Sequence, residues 1–212
     1  MIRNCITLLL LFSISLFGQV TLRAGMGINF QNTPSMSEYI NWYSSAQELG
    51  DFNSAILFSL EGGYALSDDS EVALELGYLL YSYTNNDNLG QYEFVYNNIL
   101  PSLLYYYVIR GEGYQLKFGG GGGPRFSHVE ETAPGTTSAL EFNSTGYGLL
   151  IKADGNTLLG GNFYANIGVD MRYDINGEPE NDGVFLVNQS TDENMNLNSL
   201  GFGIHLGISY IF

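Results

Sequence analysis

The last fourteen residues, Ser199-Leu-Gly-Phe-Gly-Ile-His-Leu-Gly-Ile-Ser-Tyr-Ile-Phe212, alternate without a break. Leu200, Phe202, Ile204, Leu206, Ile208, Tyr210 and Phe212 share one parity. Ser199, Gly201, Gly203, His205, Gly207, Ser209 and Ile211 share the other. Successive side chains of a strand point to opposite faces, so this segment reads as a strand with one apolar face and one small or polar face. It is longer than the ~5–6 residues of an ordinary strand. It matches the ~9–11 residues that a tilted strand needs to cross a bilayer.

Working backwards, the same alternation predicts seven more strands: 20–30, 56–66, 72–80, 94–109, 114–119, 147–153 and 163–175. Segment 94–109 is apolar on both faces. The connections alternate in length. Gln31–Asn53, Thr84–Tyr92, His128–Ala139 and Asn176–Asn196 are the long ones, and Ser67–Ser70, Arg110–Gly113 and Asp154–Asn156 are short and rich in turn residues. Strict long–short alternation puts every long loop at one end of an up-and-down meander, as in transmembrane barrels.

A soluble barrel turns its apolar face inward, whereas a membrane barrel turns it to lipid. The opposite parity here carries glycines and the charges Arg23, Glu61, Glu75, Lys117, Arg125, Lys152, Asp170 and Arg172. Those belong in the filled interior of a small membrane barrel rather than in an apolar core. Tyr64, Tyr83, Tyr92, Tyr107, Tyr114, Tyr173 and Tyr210 recur near strand ends, where interfacial aromatic girdles lie. The expected fold is all-β: an eight-stranded antiparallel up-and-down transmembrane β-barrel over residues 19–212.

Composition agrees. Only 14% of residues are charged, against about 25% in ordinary soluble domains. Seven Lys and Arg face 22 Asp and Glu, a net charge of −15 that excludes a nucleic-acid partner. Residues 1–18 read as a secretory signal peptide: Arg3, an apolar run from Ile6 to Phe17, and Gly18 at the exit. The single cysteine, Cys5, lies inside that signal, so the exported chain has no disulfide or thiolate chemistry.

The ending, with Phe212, Tyr210 and Ile208 as the diagnostic positions, resembles the C-terminal signature that the barrel-assembly machinery reads in bacterial outer-membrane proteins. Asn98-Ile-Leu-Pro-Ser-Leu-Leu-Tyr-Tyr-Tyr107 and Lys117-Phe-Gly-Gly-Gly-Gly-Gly-Pro-Arg125 resemble segments of the PorT-like "porin family" outer-membrane β-barrel domain. The resemblance implies a bacterial outer-membrane location, outer-membrane lipids and the assembly machinery as partners, and no shared catalytic residues or cofactor.

Pro101 cannot donate to a sheet ladder, so a bulge or a locally opened ladder is expected there. Gly119–Gly123 is expected to pack closely against bulky tyrosines of a neighbouring strand, and no phosphate-loop context follows it. His205 faces inward with Asp170 and Asp174 on offer, as an acid–base pair or as a hydrogen-bonded plug. Ser127 and His128 are adjacent, hence on opposite faces, which argues against a Ser-His hydrolytic site. The acidic loop residues, among them Glu130, Glu131, Glu178, Glu180 and Asp182, read as a solvated surface or as divalent-cation ligands. In the first long loop Met36, Tyr39, Ile40, Tyr43, Ala46 and Leu49 share a helical face, with Ser35 and Glu38 at capping-box spacing. Tyr39, Trp42 and Tyr43 on this helix are candidates for docking a partner or lipid headgroups, and the helix could equally cap the barrel mouth. The functional expectation is non-enzymatic: a membrane anchor with interacting acidic outer loops, or an accessory part of an envelope or secretion assembly with an envelope-protein partner. The alternative is a narrow channel for ions or small solutes.

Overall fold

The structure is a computed structural model that describes residues 19–43, 49–50, 52–87, 90–136 and 138–212. The signal peptide assigned to residues 1–18 lies outside the described residues. Eight long strands form the wall: β1 (Val20–Asn32), β2 (Asn53–Ser67), β3 (Ser70–Asp87), β4 (Gly90–Gly111), β5 (Tyr114–Thr132), β6 (Leu140–Gly160), β7 (Phe163–Ile175) and β8 (Ser199–Ile211). Each pairs antiparallel with its chain neighbours, and β8 closes the ring against β1 through Thr21↔Ile211 to Asn32↔Leu200.

The apolar parity faces outward. Met26, Phe58, Leu74, Leu103, Ile151, Ile167 and Leu206 are all exposed, while Arg23, Glu61, Glu75, Lys152, Asp170 and Arg172 are buried. A soluble protein rarely exposes an apolar surface of this extent, and lipid is the solvent that accepts it. The fold is therefore a transmembrane β-barrel. The wall is uneven: β1, β7 and β8 have 13 residues each, whereas β3 to β6 have 18 to 22 and rise beyond the apolar belt at the long-loop end.

Two connections and two tyrosines differ from the sequence reading. Asp154-Gly-Asn156 is not a turn. It lies within β6, and the chain reverses at Gly161-Asn162, where Gly161 has φ 58°, which an L residue adopts only with strain. The Asp and Asn that mimic turn chemistry are instead inward-facing ligands of the interior network. Thr84–Tyr92 is not an open loop either, because the β3–β4 ladder continues to Asp87↔Gly90. Tyr83 and Tyr92 do not belong to a lipid-facing girdle. They point inward and stack edge-on at 6.4 Å, with Tyr92 buried.

The first long loop holds α1 (Pro34–Tyr43). Pro34 opens it at a position where the missing N–H is not needed, and the Ser37 N–H bonds the Thr33 carbonyl at 2.9 Å. The expected capping box does not form. The Ser35 hydroxyl accepts the Asn196 N–H at 3.0 Å, and Glu38 accepts the Ser190 hydroxyl. Both tie α1 to the last loop. That loop carries a small hairpin, Glu180–Asn181 with Val184–Phe185, hung on Asn143 of β6.

Candidate functional site

Inside the wall the side chains form layers. The central layer is ionic. Arg23 of β1 reaches Glu61 of β2 and Asp154 of β6, both at 2.6 Å, and Glu75 of β3 at 3.3 Å. Glu75 also takes Lys152, and it takes Arg172 at 3.2 Å; Arg172 holds Asp170 at 2.6 Å. His205 sits between Asp154 at 2.7 Å and Asp170 at 3.4 Å. The sequence reading offered Asp174 as a partner of His205; the geometry substitutes Asp154, because Asp174 is taken by Arg125 at 2.5 Å. Closer to the short turns, Lys117 pairs with Glu71 at 2.7 Å. Glu71 and Asp154 were missed in the sequence. Extending the β3 and β6 parity by a few residues would have found both.

Strand β4 supplies no charge to this network. Its inner face is Phe94, Tyr96, Asn98, Leu100, Ser102, Leu104, Tyr106 and Val108, all buried, and Tyr106 donates to Glu61 at 2.8 Å. This accounts for a strand that is apolar on both parities: one face meets lipid and the other the packed interior. Arg125, Arg172, Tyr106, Leu100 and Leu104 are all below 2% exposed or close to it, so the lumen is filled by side chains.

The Pro101 irregularity is an opened ladder rather than a bulge. Pairing of β4 with β5 stops after Ile99↔Phe126 and resumes at Leu103↔Gly122 without a change of register. Counting through the gap puts Pro101 opposite Pro124, so neither strand can donate at that level. The Arg125 guanidinium covers the gap. Its Nη1 donates to the carbonyls of Pro101 (3.2 Å), Gly123 (3.2 Å) and Pro124 (3.0 Å) and to the Ser102 hydroxyl (3.2 Å). Of the glycine run beside it, Gly119 alone packs against a tyrosine as expected, since a Cβ there would lie 2.5 Å from the Tyr106 ring and 2.3 Å from the Tyr105 carbonyl. Gly121 and Gly123 lie against the Leu103 and Pro101 carbonyls of β4, and Gly120 and Gly122 against β6.

The outer layer is apolar. Met36, Tyr39 and Ile40 of α1 are buried against Leu57, Leu79, Phe94, Leu100, Val129 and Phe142 of the wall and Leu186, Met195 and Leu197 of the last loop. Of the three loop candidates, Tyr39 is inside this cluster, Trp42 is 56% exposed, and the side chain of Tyr43 lies outside the described residues. Glu131 is not on the solvated loop surface where the sequence placed it. It is 7% exposed beneath α1 and accepts the hydroxyls of Tyr39 (2.8 and 3.0 Å) and Tyr92 (3.0 Å). Burial there pushes its carboxyl above the ordinary range.

At the other end Tyr210 stacks edge-on between Phe163 at 4.9 Å and Phe212 at 4.7 Å, and Ile208 faces outward. Ser127 is buried inside, whereas His128 is half-exposed outside, with Nδ1 on Asn143 at 2.9 Å and Nε2 on Glu130 at 3.3 Å. These two residues do not form a nucleophile–base pair. Among the described residues no three His, Asp or Glu converge as a metal site.

These layers define a transmembrane β-barrel with a closed, charge-plugged lumen and a covered outer mouth. No protein-family model matches the chain, and no curated protein is similar to it in sequence. Solved structures share its fold. Neisserial surface protein A superposes with a TM-score of 0.53 at 12% identity, over 91% of this chain and 97% of that one. Ail, the attachment invasion locus protein of Yersinia pestis, gives 0.53 at 13% identity over 92% and 99%. The outer membrane protease OmpT from Escherichia coli gives 0.52 at 10% identity over 94% and 98%. One of the three is a protease, so the shared architecture does not by itself decide activity.

Proposed function

We propose that this chain is a non-enzymatic outer-membrane anchor of the bacterial envelope whose long-loop face docks a cationic partner. The observation that carries the proposal is the segregation of charge. Of the six Lys and Arg beyond residue 18, five (Arg23, Lys117, Arg125, Lys152 and Arg172) lie inside the barrel. The sixth, Arg110, caps the short turn at Asp68. Among the described residues the long-loop end has no Lys or Arg, yet besides the buried Glu131 it carries ten of the 22 acidic residues. A surface of one sign attracts ligands of the other and repels polyanions. An envelope protein with a basic face is the partner this supports, within an envelope or secretion assembly. The likeness of 98–107 and 117–125 to the PorT-like domain favours the same setting.

The test uses the folded barrel in nanodiscs, with poly-lysine and heparin as probes. Poly-lysine should bind and should be released by salt, because exposed charge pairs are screened within about 8 Å at physiological ionic strength. Heparin should not bind. Salt-insensitive binding of poly-lysine, or binding of heparin, would discard the cationic-partner reading. The plug argues against the channel alternative, and single-channel recordings in planar bilayers should show no steady conductance.

A further inference from the structure

Among the described residues the outer mouth buries one carboxylate that the ionic network does not use. Glu131 stands at the top of β5, five residues beyond Phe126, the last lipid-facing aromatic of that strand. At ~3.3 Å per residue it lies well outside the apolar belt. The groups around it are phenolic or apolar. Tyr39 comes from α1 and Tyr92 from β4; Phe94 of β4 and Leu140 of β6 stand opposite in register. Tyr83 of β3 lies behind Tyr92, and Leu186 and Met195 of the last loop complete the cluster. The charged neighbours Glu130 and Glu141 pair across the outer face and point away. Among the described residues no Lys, Arg or His forms a salt bridge with Glu131.

We infer that α1 is a proton-sensitive lid over the barrel mouth, with Glu131 as the group that senses pH. The geometry makes the coupling direct. The Tyr39 hydroxyl is a polar link from the buried face of α1 to the wall, and it donates to both oxygens of this one carboxylate. While α1 is seated, Glu131 is held out of water; when α1 lifts, the carboxyl is hydrated. Seating raises its pKa, so the seated form binds the proton more tightly than the lifted form. Closure is therefore favoured by acid. The advantage is complete below the ordinary carboxylate range and is lost as pH rises through the raised value. Each unit of upward shift corresponds to about a tenfold change in the closing equilibrium.

The chain carries its own reporter, because Trp42 is its single tryptophan and lies on α1. The experiment measures acrylamide quenching and emission of Trp42 in the folded barrel from pH 4 to 9, with heat-modifiable gel migration confirming that the barrel stays folded. The wild type should show a transition above the ordinary carboxylate range, with less quenching on the acid side. Glu131→Gln should hold the acid-side signal throughout. Tyr39→Phe removes a donor to the ionised carboxylate and should move the midpoint upward. Glu178→Gln, an exposed loop acid, should titrate like the wild type. A flat wild-type profile overturns the inference, as does a transition that survives unchanged in both Glu131→Gln and Tyr39→Phe.

Discussion

The central and outer layers of the lumen do the same job with opposite chemistry. In the centre, buried charges from seven of the eight strands are matched to one another. At the mouth the plug is an ordinary hydrophobic core, built from the tall β3–β6 wall, α1 and the last loop. The difference follows from what surrounds each layer. The centre is ringed by lipid, so no element can reach inside except the wall itself, and long charged side chains must span the lumen. The mouth stands above the apolar belt, where loop segments can fold inward and bring Met36, Ile40, Leu186 and Met195 with them. Matched ionic layers contribute little net stability but are costly to unbalance, whereas apolar layers lose stability in proportion to the volume removed.

The sharpest test of this contrast is Arg125→Leu. It leaves Asp174 buried without its partner and strips the donor from three carbonyls around the Pro101–Pro124 gap. The expected loss is about 3–5 kcal/mol in reversible urea unfolding from detergent or thin lipid. A second change, Asp174→Leu, should restore only part of it, because the carbonyls remain without a donor. Full restoration would make Arg125 a simple ion-pair partner and remove its role at the seam.

The mouth has its counterpart in Leu100→Ala. Leu100 is fully buried at the base of the apolar cluster, so truncation should cost about 2–5 kcal/mol. If the mouth were a hydrated vestibule, the same change would cost well under 1 kcal/mol, and the comparison of the two layers would fail.

What was legible in the sequence follows the same division. Lipid imposes an apolar residue at every second position, and that demand is local, so Ile167, Val169, Ile204 and Leu206 announce their orientation from the chain alone. The inner face obeys no local rule. Arg125 and Asp174 are 49 residues apart, and Arg23 and Asp154 are 131 apart. Their pairing depends on register around a closed ring. Pro101 was visible as an irregularity, but its position opposite Pro124 required the β4–β5 register. Asp154-Gly-Asn156 misled because turn chemistry and a small inward-facing polar stretch look alike in one dimension. Glu131 misled because a run of loop acids gives no sign of which one a helix will cover.

Two adjacent residues on opposite faces close the comparison, one of them with the smallest expected effect. Ile167 is 59% exposed at mid-strand in β7, and Asn166 is 3% exposed on the lumen side. Ile167→Arg places a charge against lipid with no water to solvate it, at a cost of about 2–4 kcal/mol. Asn166→Ala removes one hydrogen bond, the 3.1 Å link from the Asn166 amide to the Asn156 oxygen. That oxygen also accepts the Ser209 hydroxyl at 3.1 Å, so no buried acceptor is left without a partner. The loss should therefore stay near 1 kcal/mol, the net value of a single bond without an orphan penalty. Both variants are measured by the same urea unfolding. A reversal, with Ile167→Arg tolerated and Asn166→Ala severe, would mean that the exposed parity does not meet lipid. The layered lumen would then need a different explanation, because its central charges would no longer be enclosed by a hydrocarbon belt.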